Sequence, residues 1–173
     1  EEECRKSSNT YGYDAFLFHF VPMVKYAEKL AEEIGGDREV ILIASWLHDI
    51  GSIIHSREDH HITGARIAEE KLRELNYPKE KIELVKKCIL NHRSSKQNNR
   101  ETIEEQIVAE ADALSSFDNI AGIFYAAFKE GKNQKEARDS VRKKLENKWK
   151  QLHFESSKKL IKPKYESAML LLK

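Results

Sequence analysis

The sequence predicts an all-α fold, a compact multi-helix core carrying a C-terminal helical extension. Three observations predict it. The 173 residues include only seven glycines and three prolines, about half the roughly 12% that these breakers average. Charged residues reach 34%, which suits long solvated helix faces. Apolar residues recur every three or four positions along most of the chain, the period of a helix buried on one face. With 40% hydrophobic residues the chain has the means to bury a core, which argues against disorder. So few turn residues argue against a β-sandwich, a barrel or a collagen-like chain.

The elements follow in order. Val21, Val24, Ala27, Leu30, Ala31 and Ile34 share a helical face. Pro22 disfavours a helix interior, so this helix is expected to begin near Phe20, with His19 at or before its first turn. Gly35-Gly36 ends it. Asp37 is placed to cap the next helix, from Arg38 to about Asp49, with Gly51 as its stop. The run from Val40 to Leu47 is apolar on nearly every face and reads as the central buried helix. Ser52 to Glu58 reads as a loop. Asp59 caps a helix to Leu75 with Ala65, Ala68, Leu72 and Leu75 inward, and Asn76-Tyr77-Pro78 is a turn. Lys79 to His92 is amphipathic through Ile82, Val85 and Ile89, with Cys88 as a further core position. Arg93 to Arg100 is a polar loop. Thr102 and Glu105 make a capping box for a helix through Ile107, Ala111 and Leu114. Another apolar helix spans about Phe117 to Lys129, and Gly131 to Asn133 breaks it. From Gln134 a long charged helix carries Ala137, Val141, Leu145, Trp149 and Leu152. Pro163 is expected to separate it from a short last helix, Lys164 to Leu172. This gives seven or eight helices in one domain over residues 1–173, with a core at about 14–130. Residues 134–173 form the extension, for which no site chemistry is expected.

Lysine and arginine number 30 against 29 acidic residues. Nothing global pulls such a chain toward a nucleic acid or an anionic membrane. The longest uncharged run, Ala15 to Val24, is half the ~20 residues a spanning helix needs. No secretory signal pattern is present. Cys4 and Cys88 make neither a disulfide framework nor a zinc ribbon. The expectation is a cytoplasmic protein, monomer or homodimer, acting on a small molecule.

The histidines are unevenly placed. There are seven, and His19, His48, His55, His60, His61 and His92 all lie in the first 92 residues. His48-Asp49 ends the most buried helix. An imidazole buried beside a carboxylate is costly unless something pairs them, and a divalent metal does so. A C-cap with a nearby carboxylate would also satisfy the pair. His19 and His92 each end an apolar stretch. Asp112 is a small acid between alanines on an inward face, with room beside it for an ion. It could also cap the helix near Phe117. Arg93, Ser94, Ser95 and Lys96 directly follow His92 and offer a guanidinium fork, hydroxyls and an ammonium to phosphate oxygens. Arg57 is a similar candidate. His55 reads as a solvated loop residue and His153 as structural or exposed.

In order, His19, His48-Asp49, His60, His92 and Asp112 resemble the HD-domain superfamily of metal-dependent phosphohydrolases. The likeness covers roughly residues 14 to 120. Leu47-His48-Asp49-Ile50-Gly51 looks like the central motif of that superfamily. His60-His61-Ile62-Thr63-Gly64-Ala65 resembles its His-x-x-x-Gly-Ala helix start. Ile89-Leu90-Asn91-His92 and Ile107 through Leu114 resemble its last two ligand segments. The resemblance implies an all-α core in which His19, His48, Asp49 and Asp112 hold one divalent metal. It also implies a second ion at His60 and His92, bridged by Asp49. The motif favours His60, because Gly64 follows four residues later. Periodicity favours His61, which shares a face with Ala65, Ala68 and Leu72.

The expected activity is hydrolysis of a phosphate ester or anhydride, of a nucleotide, by metal-activated hydroxide, with Asp49 and His48 as catalytic residues. One or two divalent ions are expected, and Mn, Fe, Mg, Co, Ni and Zn are not distinguished. Two other readings stand beside it. Some relatives with the same six ligands hold a mixed-valent di-iron pair and use O₂ to oxidise a carbon bond. A non-catalytic module would keep the fold and lose ligands.

Overall fold

The structure, a computed structural model, describes residues 1–9, 11–55, 57–93 and 99–173. No strand occurs among the described residues. The helices are α1 (Glu2–Arg5), a π-helical turn (Phe16–Phe20), α2 (Val21–Ile34), α3 (Arg38–Leu47), α4 (Ile50–Ile54) and α5 (His60–Glu74). They continue with α6 (Lys79–Asn91), α7 (Ile103–Ser115), α8 (Ile120–Lys129), α9 (Gln134–Lys150) and α10 (Glu155–Leu171). None is long and apolar enough to cross a membrane.

Packing centres on α7, where every residue from Glu104 to Ser115 except Gln106 is buried. Helices α2, α3 and α6 lie against α7, and α5 covers α6. One apolar cluster runs from Met23, Leu30 and Ile41 through Ile89, Ile107 and Leu114 to Leu145, Ile161 and Leu172. The C-terminal helices therefore share the core. A smaller cluster of Cys4, Phe20 and Ile53 packs the N-terminal segment against α4, with Tyr11 and Tyr13 over it.

Several expected boundaries form as the local chemistry dictates. Asp37 accepts from Val40 N at 3.2 Å and caps α3. Thr102 and Glu105 form a reciprocal capping box on α7, and Asn133 with Glu136 forms one on α9. Gly35 and Gly36 end α2 with φ of 103° and 92°, backbone that glycine adopts without strain. Cys88 is fully buried in the core, and burial raises its thiol pKa well above the usual value.

Four expectations are corrected. Gly51 is no helix stop, and the loop expected from Ser52 is helical to Ile54. A Cβ at Gly51 would lie 2.3 Å from His60 O and 2.8 Å from Gly64 N, so the glycine is there to let α4 approach α5. Pro163 lies inside a continuous α10. It sits on the exposed side, so its missing N–H is borne where water reaches, while Ile161 and Ala168 stay buried on either side. The break falls earlier, at residues 151–154, and Leu152 lies in that connection rather than on α9. Helix α8 starts at Ile120 under an Asn119 cap, so Asp112 caps nothing there.

The connection between α9 and α10 is tied to the core by a buried acid. Glu110 on α7 accepts from the backbone N of His153 at 2.8 Å and of Phe154 at 3.2 Å, and from Gln106 Nε2 at 2.8 Å. Further along α10, Lys164 pairs with Asp118, whose second oxygen accepts from Tyr26 on α2.

Candidate metal centre

Five of the expected donors meet at one point, each delivered by a helix end. His19 sits in the π-helical turn that leads into α2. Such turns insert a residue into the helical ladder and re-aim a side chain. His48 and Asp49 occupy the two-residue turn between α3 and α4. Asp49 has φ −109° and ψ 12° there, off the helical path. This turn lets two adjacent side chains face the same space. His60 opens α5 and His92 caps the C-terminus of α6.

The ring orientations are fixed from behind. His48 Nδ1 donates to Ser45 O at 2.9 Å, His60 Nδ1 to Arg57 O at 2.7 Å, and His92 Nδ1 to Ile89 O at 2.6 Å. In each case a carbonyl three residues earlier accepts, so the proton belongs on Nδ1 and Nε2 keeps its lone pair. His19 Nδ1 donates to Ser115 Oγ at 2.9 Å, and that hydroxyl passes its own proton to Asp112 O at 2.9 Å. Outer-sphere hydrogen bonds of this kind set the tautomer of metal-ligating histidines.

The inward atoms form two groups joined by one carboxylate. His48 Nε2 and His19 Nε2 lie 3.4 and 3.7 Å from Asp49 Oδ2. His60 Nε2 and His92 Nε2 lie 3.1 and 3.7 Å from Asp49 Oδ1. The clusters His19–His48–Asp49 and Asp49–His60–His92 are each positioned to hold a divalent metal ion. The donor chemistry fits one. His19 Nε2 and His48 Nε2 approach to 3.1 Å, and His60 Nε2 and His92 Nε2 to 3.4 Å. Two imidazole lone pairs that close repel unless a cation, proton or metal, lies between them. Neutral imidazole with carboxylate is a donor set for first-row divalent ions generally.

Electrostatics set the protonation of the ligands in opposite directions. Burial lowers the pKa of His92 to about 3, helped by His48, so its ring is neutral. Burial acts downward on His48 too, but the charge and hydrogen bond of Asp49 reverse it to a net rise. For Asp49 desolvation acts upward and is overcome by His48, His19 and His92, which hold the carboxyl well below its usual range. Asp112 is likewise held ionised, because Lys148 and the histidines outweigh its burial.

Asp112 faces the same space from α7, with Oδ1 3.7 Å from His19 Nε2. Its other oxygen pairs with Lys148 Nζ at 2.6 Å, which leaves Oδ1 facing His19. That ion pair corrects the expectation that residues 134–173 lack site chemistry: α9 reaches the centre directly. His60, rather than His61, points Nε2 at Asp49. His61 is buried beside it, and its Nδ1 accepts from Arg93 Nη1 at 3.3 Å. Arg93 thus stands at the rim, also reaching Glu58 O at 3.4 Å. Arg57 is more exposed and pairs with Glu130 at 3.4 Å. Ser94 and Lys96, the other expected phosphate contacts, lie outside the described residues. His55 is exposed at the end of α4, and His153 is exposed between α9 and α10.

The centre opens into a cavity of about 1310 Å³, walled by the N-terminal segment, α8 and α9. His19, Asp49, His60, His92 and Asp112 line its floor, and Arg57, Arg93, Lys144 and Lys148 line its sides. Sequence reasoning missed Ser115, Arg100, Lys144 and Lys148. Arg100 donates to the carbonyls of Asn91, His92 and Arg93 at 2.9–3.1 Å and so fixes the end of α6 that carries His92. The only signal for the two lysines was their i,i+4 spacing, which a solvated helix face shares.

The fold and this donor set define a helical metal-binding domain of the HD type. The family model described as HD domain matches residues 16–116, and the chain belongs to that family. A relative from Clostridium beijerinckii, an uncharacterized protein, is 34% identical over 103 residues, 57% of this chain and 63% of that protein. A tRNA (cytidine(56)-2'-O)-methyltransferase from Picrophilus torridus is 31% identical over 136 residues, 71% of this chain and 38% of that protein. The chain thus spans less than two thirds of the length of either. Among solved structures, a Listeria innocua protein superposes with a TM-score of 0.71 at 22% identity, covering 89% of this chain and 82% of that one. An HD-superfamily hydrolase from Bacillus thuringiensis gives 0.66 at 22% identity, covering 89% and 80%. These two likenesses establish the shared fold.

Proposed function

We propose that the chain hydrolyses a phosphate ester or anhydride of a small phosphorylated molecule of the nucleotide class. One observation carries this reading. Asp49 turns each of its oxygens to a different pair of histidine Nε2 atoms, at the floor of a cavity whose sides are cationic. That donor set would suit divalent ions, which would draw phosphate oxygens into the cavity. His19, His48 and Asp49 would hold the first ion with help from Asp112, and Asp49, His60 and His92 the second. Bound there, divalent ions supply hydroxide at neutral pH and offset charge on the phosphoryl group.

The chain's own residues do the rest. The carbonyls of Ser45, Arg57 and Ile89 and the Ser115 hydroxyl keep four imidazoles aimed inward before any ligand arrives, so little reorganisation is required during reaction. Arg93 and Arg57 offer donors to the phosphoryl oxygens. Water supplies the new P–O bond, the bond to the leaving oxygen breaks, and that oxygen takes a proton from solvent. No serine or cysteine nucleophile enters.

The test is a panel of phosphomonoesters, phosphodiesters and nucleotides run with Mn²⁺, Mg²⁺, Fe²⁺, Co²⁺ and Ni²⁺ in turn. Turnover that depends on the metal and releases phosphate or a nucleotide is expected. A half-reduced di-iron signal under air, with no phosphoester turnover, would replace this reading with the oxygenase.

A further inference from the structure

The α9 lysines present an arrangement that the metal centre does not require. Lys144 and Lys148 are one helical turn apart, about 5.4 Å along the axis. Both side chains line the cavity. Lys148 is paired with Asp112, its side chain 12% exposed. Lys144 stands above it with no hydrogen-bond or ion-pair partner among the described residues. Burial first, then the nearby charges of Lys148 and Arg57, bring its pKa down to about 8 against the opposite pull of Asp112 and Asp49. Arg57 reaches the cavity from between α4 and α5 and pairs with Glu130 at 3.4 Å. Three cations thus line one partly desolvated space, and no carboxylate among the described residues is in ion-pair contact with Lys144. An ammonium buried without a partner is destabilising. Such a group is retained where an anion completes it.

We propose that Lys144, with Lys148 and Arg57, forms an anion subsite beside the metal centre that holds a second, non-reacting phosphate of the substrate. The substrate class is then an organic di- or polyphosphate, or a bisphosphate, rather than a simple monoester. Lys144 stands one helical turn from the Lys148 that meets Asp112, a spacing that lets one phosphate lie over the histidines while its neighbour meets Lys144. A helix-borne lysine is a strong point charge for phosphate. This inference rests on the reading of the centre as a phosphohydrolase site.

The test separates the two. Pyrophosphate and orthophosphate are titrated calorimetrically into metal-loaded parent, Lys144→Met and Lys144→Arg proteins. Turnover of a nucleoside diphosphate and of p-nitrophenyl phosphate is followed in parallel. Parent protein is expected to bind pyrophosphate more tightly than orthophosphate. Lys144→Met is expected to weaken pyrophosphate binding and raise KM for the diphosphate by about tenfold or more, the scale of one charge-assisted contact. Its KM for p-nitrophenyl phosphate is expected to change less than that for the diphosphate, with Lys144→Arg restoring pyrophosphate binding. Equal pyrophosphate affinity in parent and Lys144→Met overturns the subsite, whatever the activity. Lys144-dependent pyrophosphate binding without turnover of any phosphoester keeps the subsite and removes the hydrolase. Should Lys144→Met not fold, the parent alone decides. A pyrophosphate-induced rise in Tm no larger than that of orthophosphate then overturns the proposal.

Discussion

Replacing Gly51 by alanine probes how the fold sets the spacing of the metal centre. A Cβ there would meet His60 O at 2.3 Å, Thr63 Oγ1 at 2.4 Å and Gly64 N at 2.8 Å. The threonine hydroxyl rotates aside, but the other two atoms are backbone. Bringing 2.3 Å to the roughly 3.4 Å of ordinary contact moves the start of α5 by about 1.1 Å. Overpacking of this kind costs about 1–3 kcal/mol. In a chain of this size that lowers Tm by about 2–12 °C. His60 is the first residue to move, and its Nε2 lies 3.1 Å from Asp49 Oδ1. Metal sites tolerate about 0.5 Å of displacement. Gly51→Ala should therefore lose the Asp49–His60–His92 site while His19–His48–Asp49 keeps its ion. Calorimetric titration with Mn²⁺, beside thermal unfolding of the EDTA-treated protein, reads both effects. Gly64→Ala is the control, since its Cβ has no contact closer than 3.4 Å. It should be neutral or stabilise by up to about 1 kcal/mol, as alanine does over glycine in a helix. If Gly51→Ala kept its Tm within a degree or so and bound two ions as the parent does, the packing argument would be refuted.

Three further outcomes are expected. Ser115→Ala removes the acceptor behind His19 Nδ1, and metal affinity at the first site should fall by about 10–100-fold with little change in Tm. Lys148→Met strips Asp112 of its ammonium. The metal-free variant should lose about 3–5 kcal/mol in denaturant unfolding, and saturating metal should narrow the deficit, because an ion again neutralises the carboxylate. The last concerns pH. Lys144 has a pKa of about 8 folded and about 10.4 unfolded. Between these values the unfolded chain holds a proton that the native one has released, so stability rises with pH through this window. The Tm advantage of Lys144→Met over the parent should be largest below pH ~8 and vanish by ~10.4. A constant difference across the range would contradict this assignment.

Most of the core was legible because helix periodicity and capping are local. Asp37, Thr102 with Glu105, and Asn133 each sit where their side chains satisfy orphan backbone donors, and those neighbours are adjacent in sequence. The histidines were legible for a second reason. Imidazoles that end apolar stretches stand apart from a surface otherwise built of lysine and glutamate. What stayed hidden depends on contacts between distant segments. Gly51 looks like a terminator until α5 is seen resting on it. Pro163 looks like a break until Ile161 and Ala168 are seen anchoring α10 on either side. His60 and His61 differ by about 100° around α5, and only the position of Asp49, 11 residues earlier, separates them. Lys148 and Lys144 carry no local mark, and the ion pair with Asp112 bridges 36 residues.

Asp49 stands between both histidine pairs, placed to serve two metal sites at once. Titration of EDTA-stripped protein with Mn²⁺, comparing parent with Asp49→Ala, tests this most directly. About two ions per parent chain are expected, with loss of both in Asp49→Ala and helical content unchanged by circular dichroism. A parent that binds no divalent ion, or an Asp49→Ala protein that binds as the parent does, would contradict it.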